Sequence, residues 1–371
     1  MSTHLAASNK DLHIDIPNSF RTNSRDASPI QRSSLNQDSR ASLARHESRS
    51  LTRGNSRMSA THAAGRSVSR LSSLSNIISV PCELSGQRKR QLLGLNIFFS
   101  IFHLAFAIGT ASFGHSGHKI ALYRTRLVPI TEVVGDRSFE TYNLVPAIPV
   151  HVCDFYVAAA IAAAAFITAF FHFGNAFIWR GKYEQGLEQC RCLSRWIEYS
   201  LSASIMIMVI SVLSGQVMLA PLVLLFGLTL VTMQFGVALD ISVRPLNARS
   251  WKEPSAWKRL VIFFLGWTPQ IFVWSIVFAE FAWAANGESS ADAVAKVNLP
   301  GFVYAVVLVE FILFFSFAFV QLGILLNPPS EYVRGEIMYQ ILSFGAKAFL
   351  AVCCIFGVLM ADSVSDLYVS V

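Results

Sequence analysis

The chain has 371 residues, of which 53% are hydrophobic and only 14% charged. Its mean hydropathy is positive although the first ninety residues are almost wholly polar, so the rest must be far more apolar than a soluble domain. The net charge is +7, but fourteen of the thirty Lys and Arg residues lie in the polar tail up to Arg90, which directs the charge to an anionic membrane leaflet rather than to nucleic acid. The six cysteines lack metal-ligand spacing, and no HExxH, paired-carboxylate or nucleophile motif is present, which argues against a metal centre and a membrane enzyme.

Residues 1–87 are rich in Ser, Arg and Asn with too few clustered apolar residues to build a core, so a disordered cytoplasmic tail is expected. No short apolar h-region marks a signal peptide, and Asp11, Asp15, Asp26 and Asp38 spoil the acid-poor pattern of a transit peptide. Arg-x-x-Ser recurs, as at Arg45 to Ser48 and Arg66 to Ser69, a spacing open either to a basophilic kinase or to chance in a Ser/Arg-rich spacer.

Residues 88–371 hold seven apolar stretches, near 91–112, 152–178, 187–213, 218–240, 258–284, 300–325 and 332–361, each close to the ~20 residues that a helix needs to span a bilayer. The fold class predicted is an all-α membrane protein, a seven-helix bundle with an outer loop between the first two spans. That loop contains two partly alternating segments, around Ile120–Ile130 and Phe139–Val145, joined by Gly135-Asp136, which reads as an extracellular β-hairpin. Pro221 and Pro269 fall within spans, where neighbouring helices can satisfy freed carbonyls. Cys190 and Cys192 read as structural thiols or palmitoylation sites at a membrane edge.

Twenty-four basic residues fall on the side of the amino terminus and five on the other. The amino terminus is therefore expected in the cytoplasm and the carboxyl terminus outside or in a lumen. The thirtieth basic residue is Lys347, about fifteen residues into the last span, or roughly 22 Å along a helix. A free ammonium at that depth costs at least ~2.5–3.5 kcal/mol, so it is functional or paired to a buried acid. A buried lysine deprotonates readily and forms Schiff bases with aldehydes.

Glu198, in RWIEYSLSAS on the third span, can supply a counter-charge near the same depth, with Arg195 one turn earlier. Ser343 stands one turn before Lys347 and can bond either the acid or the nitrogen, or its own helix carbonyl. His103 on the first span and His172 on the second fall at overlapping depths toward the cytoplasm. With Glu198 and Arg195 they suggest a polar cluster able to hold a proton. Glu310, in YAVVLVEFILFF on the sixth span, either bonds a neighbouring helix or extends a proton path outward. Met206, Trp267, Trp274, Phe311, Phe314 and Phe315 offer apolar surface for a ligand or for packing.

WxEYS on the third span, SxxxK on a final span opening with EYVRGEIMY, the histidine in NIFFSIFHLAF, the second-span histidine and the inverted topology together resemble heliorhodopsins over about residues 88–365. The resemblance implies a light sensor with all-trans retinal on Lys347, Glu198 as counter-ion, Ser343 as its partner, and His103 and His172 near the proton-accepting site. It also implies an outer β-hairpin, a homodimer, a slow photocycle without pumping, and a cytoplasmic signalling partner. The long tail and Glu310 fall outside that pattern; the rival reading is a light-gated proton channel or transporter using Glu310. A receptor without retinal conflicts with the orientation, because such receptors place the amino terminus outside.

Overall fold

The computed structural model describes Cys82 and residues 84–113, 119–134, 137–243, 252, 255–286 and 299–359. The expected disordered tail, its Arg-x-x-Ser repeats and the Gly135-Asp136 turn lie outside the described residues.

Seven helices among the described residues are long and apolar enough to cross a membrane. They are α1 (Gly86–Phe113), α2 (Val157–Phe173, extended by a π-helical turn Gly174–Ile178), α4 (Leu193–Leu213), α5 (Leu219–Val243), α6 (Ala256–Asn286), α7 (Gly301–Leu326) and α8 (Tyr332–Cys354, extended by a π-helical turn Ile355–Leu359). A short helix, α3 (Arg180–Glu188), joins α2 to α4. The spans close into a ring in the order α1, α2, α4, α5, α6, α7, α8 and back to α1, with α4 also reaching α6 and α7. The helix at the centre of these contacts is therefore the one carrying Glu198. In lipid each span satisfies its backbone internally, and polar side chains turn inward.

Pro221 falls in the first turn of α5, where no intrahelical bond is lost. Pro269 is buried inside α6 and deprives the Leu265 carbonyl of its usual partner.

Between α1 and α2 the chain forms four strands where two were expected: β1 (Lys119–Arg124), β2 (Leu127–Val134), β3 (Arg137–Pro146) and β4 (Val150–Tyr156). The two antiparallel pairs are nested, β1 with β4 and β2 with β3. The segment read as one strand, Ile120–Ile130, breaks at Thr125 and Arg126. Residues 152–156, expected to open the second span, instead lie in β4, where 153–156 pair with β1 and Val152 falls at an irregularity in the register. The Tyr123 amide donates to the Val217 carbonyl at 2.9 Å, tying the sheet to the turn between α4 and α5. On the sheet surface the Lys119 ammonium and the His151 ring flank Asp154 at 2.8 and 2.9 Å, and Lys119 above all holds that carboxyl below its ordinary range.

The third span starts at Leu193 rather than near Leu187, because Cys190 turns the chain with a left-handed φ of 54°. Cys190 and Cys192 are each only 2% exposed, which argues against the lipid-anchor role and for structural thiols.

One close approach in the bundle depends on glycine. A Cβ at Gly236 of α5 would collide with the Trp196 ring of α4, whose Nε1–H donates to Asp240 Oδ2 at 2.7 Å. Gly236→Val should therefore expel Trp196 and cost about 1–3 kcal/mol. Thermal unfolding of the purified protein checks this, and an unchanged melting temperature would contradict that packing.

Candidate functional site

α8 places Lys347 one turn beyond Ser343, and α4 brings Glu198 to meet them. The Lys347 Nζ donates to Glu198 Oε1 at 2.6 Å and to Ser343 Oγ at 2.7 Å. The same carboxylate oxygen accepts from Thr168 Oγ1 of α2 at 2.6 Å and from Ser202 Oγ of α4 at 2.7 Å. Glu198 is thus held by three elements, and Lys347, Glu198 and Ser343 are all buried. A charge pair inside a membrane needs such compensating hydrogen bonds. The Tyr199 ring stacks beneath the ammonium, 5.1 Å from Nζ to its centroid.

The two histidines meet on the α1/α2 side. Their rings lie 6.2 Å apart between centroids and nearly parallel. Asn96 Nδ2 donates to the Leu92 carbonyl at 2.9 Å, so its Oδ1 faces His172 Nδ1 at 2.7 Å as an acceptor. That fixes Nδ1 as the protonated nitrogen of His172 and leaves Nε2 as its basic position. His103 Nε2 is buried with no hydrogen-bond partner among the described residues.

Three cavities surround Lys347 and Glu198. The largest, about 130 Å³, lies between α4, α5, α6, α7 and α8 and is almost wholly apolar, with Lys347 as the charged residue on its wall. Met206, Trp267 and Phe314 line it as expected, and so does Phe315. Phe311 does not line it: its ring packs on Trp274, Phe278 and Phe315 in the core, the packing alternative for an aromatic in a membrane helix. Trp274 likewise stays in that core. A second cavity, about 20 Å³, is lined by both His103 and Lys347. That is room for a water molecule, with His103 Nε2 as an unmet partner. A third, about 10 Å³, is shared by His172, Asn175, Arg195, Glu198, Glu336 and Gln340.

Arg195 belongs to a different network from the one expected. Its guanidinium pairs with Glu336 of α8 through Nη1, while Nη2 reaches Asp240 Oδ2 of α5 at 3.5 Å and the Tyr332 hydroxyl at 3.3 Å. The Tyr332 hydroxyl and the Cys192 amide also donate to Asp240, at 3.0 and 3.1 Å. The i,i+3 spacing puts Arg195 and Glu198 on one face of α4, yet the arginine extends toward the helix start, where two acids wait. Glu336 and Asp240 are functional residues that the sequence reading lacks, although they are acids within apolar spans and their rarity there is a signal for them. Thr168 and Ser202 were missed too; each lies four residues from His172 and Glu198, on the same helical faces. Glu310 of α7 is fully buried, and both its carboxyl oxygens lack a hydrogen-bond partner among the described residues, so of its two readings the bond to a neighbouring helix is not seen there.

Removing one member of a buried pair strands the other, at a cost of about 3–5 kcal/mol. Lys347→Met should lower thermal stability by about that much, and Lys347→Met with Glu198→Gln should recover most of the loss in a melting experiment. A single variant as stable as the parent would show that the pair is not held as described.

A comparison with curated proteins finds no match. Among family models, the one described as Heliorhodopsin matches residues 92–359, from the first turns of α1 to the end of the last span and through every residue of the site. The seven-helix ring and the match over most of the sequence agree: the chain belongs to the heliorhodopsin family.

Proposed function

We propose that the protein is a light sensor with a slow photocycle, in which Lys347 carries all-trans retinal, Glu198 is the counter-ion, and a proton leaving the Lys347 nitrogen is held nearby and returned without net pumping. The coarser part of this follows from the family, which makes the protein a retinal-binding, light-sensing membrane protein of rhodopsin type, embedded in a bilayer by seven spans. One observation carries the finer part: Lys347 lines the apolar cavity while its Nζ is bonded to Glu198 and Ser343. The residues present fit the group, because a long apolar aldehyde needs one amine and otherwise hydrocarbon walls.

When bound, retinal supplies the absorption of light and a change of shape that displaces the nitrogen to which it is linked. The protein does the rest. Glu198, fixed by Thr168 and Ser202, holds positive charge at that nitrogen in the dark. Ser343 Oγ offers a second acceptor on the same side. His103 Nε2, across the 20 Å³ cavity, and His172 Nε2, beside Glu198, are basic positions able to take the proton. Arg195 positions the floor of this cluster through Glu336 and Asp240 rather than accepting the proton itself. The change of charge then biases a conformational equilibrium that a cytoplasmic partner reads, with the protein acting as a homodimer, as the resemblance suggests.

Lys347→Ala or Lys347→Arg should abolish visible absorption, and Glu198→Gln should shift it to the red, because losing the negative partner destabilises charge localised at the nitrogen in the ground state. A pigment surviving the first change, or a spectrum unmoved by the second over a wide pH range, would refute the assignment.

The excess of basic residues on the side of α3, the α5–α6 connection and the amino-terminal tail supports an inside amino terminus, which puts the β-sheets outside. In intact cells an epitope at residue 5 should be protected and one after Val371 accessible; the reverse labelling would overturn this orientation.

A second reading, light-gated proton conduction, is favoured by Glu310, a buried carboxyl without a hydrogen-bond partner among the described residues, on the opposite side of the bundle from α2 and its histidine. For the sensor we expect no stationary photocurrent under voltage clamp. A sustained proton current that Glu310→Gln removes while the pigment still forms would decide for conduction.

A further inference from the structure

The large cavity has a polar feature that the light-sensing reading does not use. α6 contributes Phe263, Gly266, Trp267 and Gln270 to its wall. Both polar atoms of the Gln270 side chain, Nε2 and Oε1, are shielded from solvent, and neither has a hydrogen-bond partner among the described residues. Other polar side chains of the same wall are engaged: Gln321 Oε1 accepts from the Tyr339 hydroxyl at 2.6 Å, and the Thr232 hydroxyl donates to the Leu228 carbonyl at 3.0 Å. Gln270 is the exception among them.

A buried amide without a partner keeps its whole desolvation penalty, and such groups call for an explanation. A water molecule is a poor answer, because it needs two to four polar partners, the other α6 residues of this wall are Phe263, Gly266 and Trp267, and the Gln321 and Thr232 side chains are already engaged. Position supplies a better one. Lys347 stands on α8, and α7 separates α8 from α6 in the ring. An elongated occupant anchored at Lys347 therefore extends toward the wall that holds Gln270. An amide presents a donor and an acceptor together, which matches a hydroxyl with both functions or a carbonyl that accepts.

We propose that Gln270 makes the cavity selective for a retinoid with an oxygen on its ring, a hydroxy- or oxo-retinal, over retinal with a hydrocarbon ring. This rests on the reading that a retinoid fills the cavity from Lys347. A polar group inside an apolar site discriminates strongly, because the wrong ligand leaves it unpaired.

The full-length protein is offered equimolar all-trans retinal and all-trans 3-hydroxyretinal, and in a parallel run retinal and 4-oxoretinal, and the bound retinoid is extracted and quantified by chromatography. The parent protein should enrich at least one oxygenated form by roughly tenfold, the worth of one buried hydrogen bond. Gln270→Leu and the near-isosteric Gln270→Met should return that ratio to about one, as expected when the amide is gone. Equal uptake by the parent protein, or enrichment that persists in the variants, overturns the proposal. If neither variant folds, the parent ratio alone decides. Failure to take up any retinoid would instead refute the retinal reading, and this inference with it.

Discussion

The bundle is organised around one ion pair inside the membrane, Lys347 with Glu198. Two opposite charges in hydrocarbon are tolerable only with compensating hydrogen bonds, and short side chains on three helices supply them: Thr168 on α2 and Ser202 on α4 bond Glu198 Oε1, and Ser343 on α8 accepts from Lys347. α4 brings the acid to the centre of the ring, and α8 brings the amine. Lys347 lines the large apolar cavity and its amine bonds to this polar cluster, so the residue joins a hydrocarbon pocket to a polar site. A chromophore on that amine would have its polyene on the dry side and its charge on the wet side.

The polar side is divided in two. One part is Glu198 with His103, whose Nε2 has no hydrogen-bond partner among the described residues, and His172, whose Nδ1 bonds to Asn96. The other is Arg195 with Glu336, Asp240, Trp196 and Tyr332, a network whose acids are already committed. A cavity of about 10 Å³ touches both, which makes them neighbours without a direct bond between Arg195 and Glu198.

The spans were legible because the bilayer demands a run of apolar residues, and Lys347 was legible because basic residues are so rare inside those runs. Glu198 and Ser343 followed from depth and from the i,i+4 repeat. The nested β-sheets were only half legible, since β4 runs into the apolar start of α2 without a break in composition and its pairing with β1 is set by contacts thirty residues away. Arg195 was misplaced for a similar reason: helical spacing gives the face of a residue but not the direction in which a long side chain reaches, and that was decided by acids on α5 and α8. Phe311 shows the same limit, because an aromatic in a membrane helix reads alike whether it lines a cavity or packs in a core.

The central claim is that Lys347 is the amine that carries the chromophore. Incubating the full-length protein with all-trans retinal, reducing it with borohydride and mapping the digested peptides by mass spectrometry locates the linkage directly. A retinyl group on Lys347, within the segment SFGAKAFLAV, is the result this account requires. A retinyl group at any other lysine, with Lys347 unmodified, would contradict it.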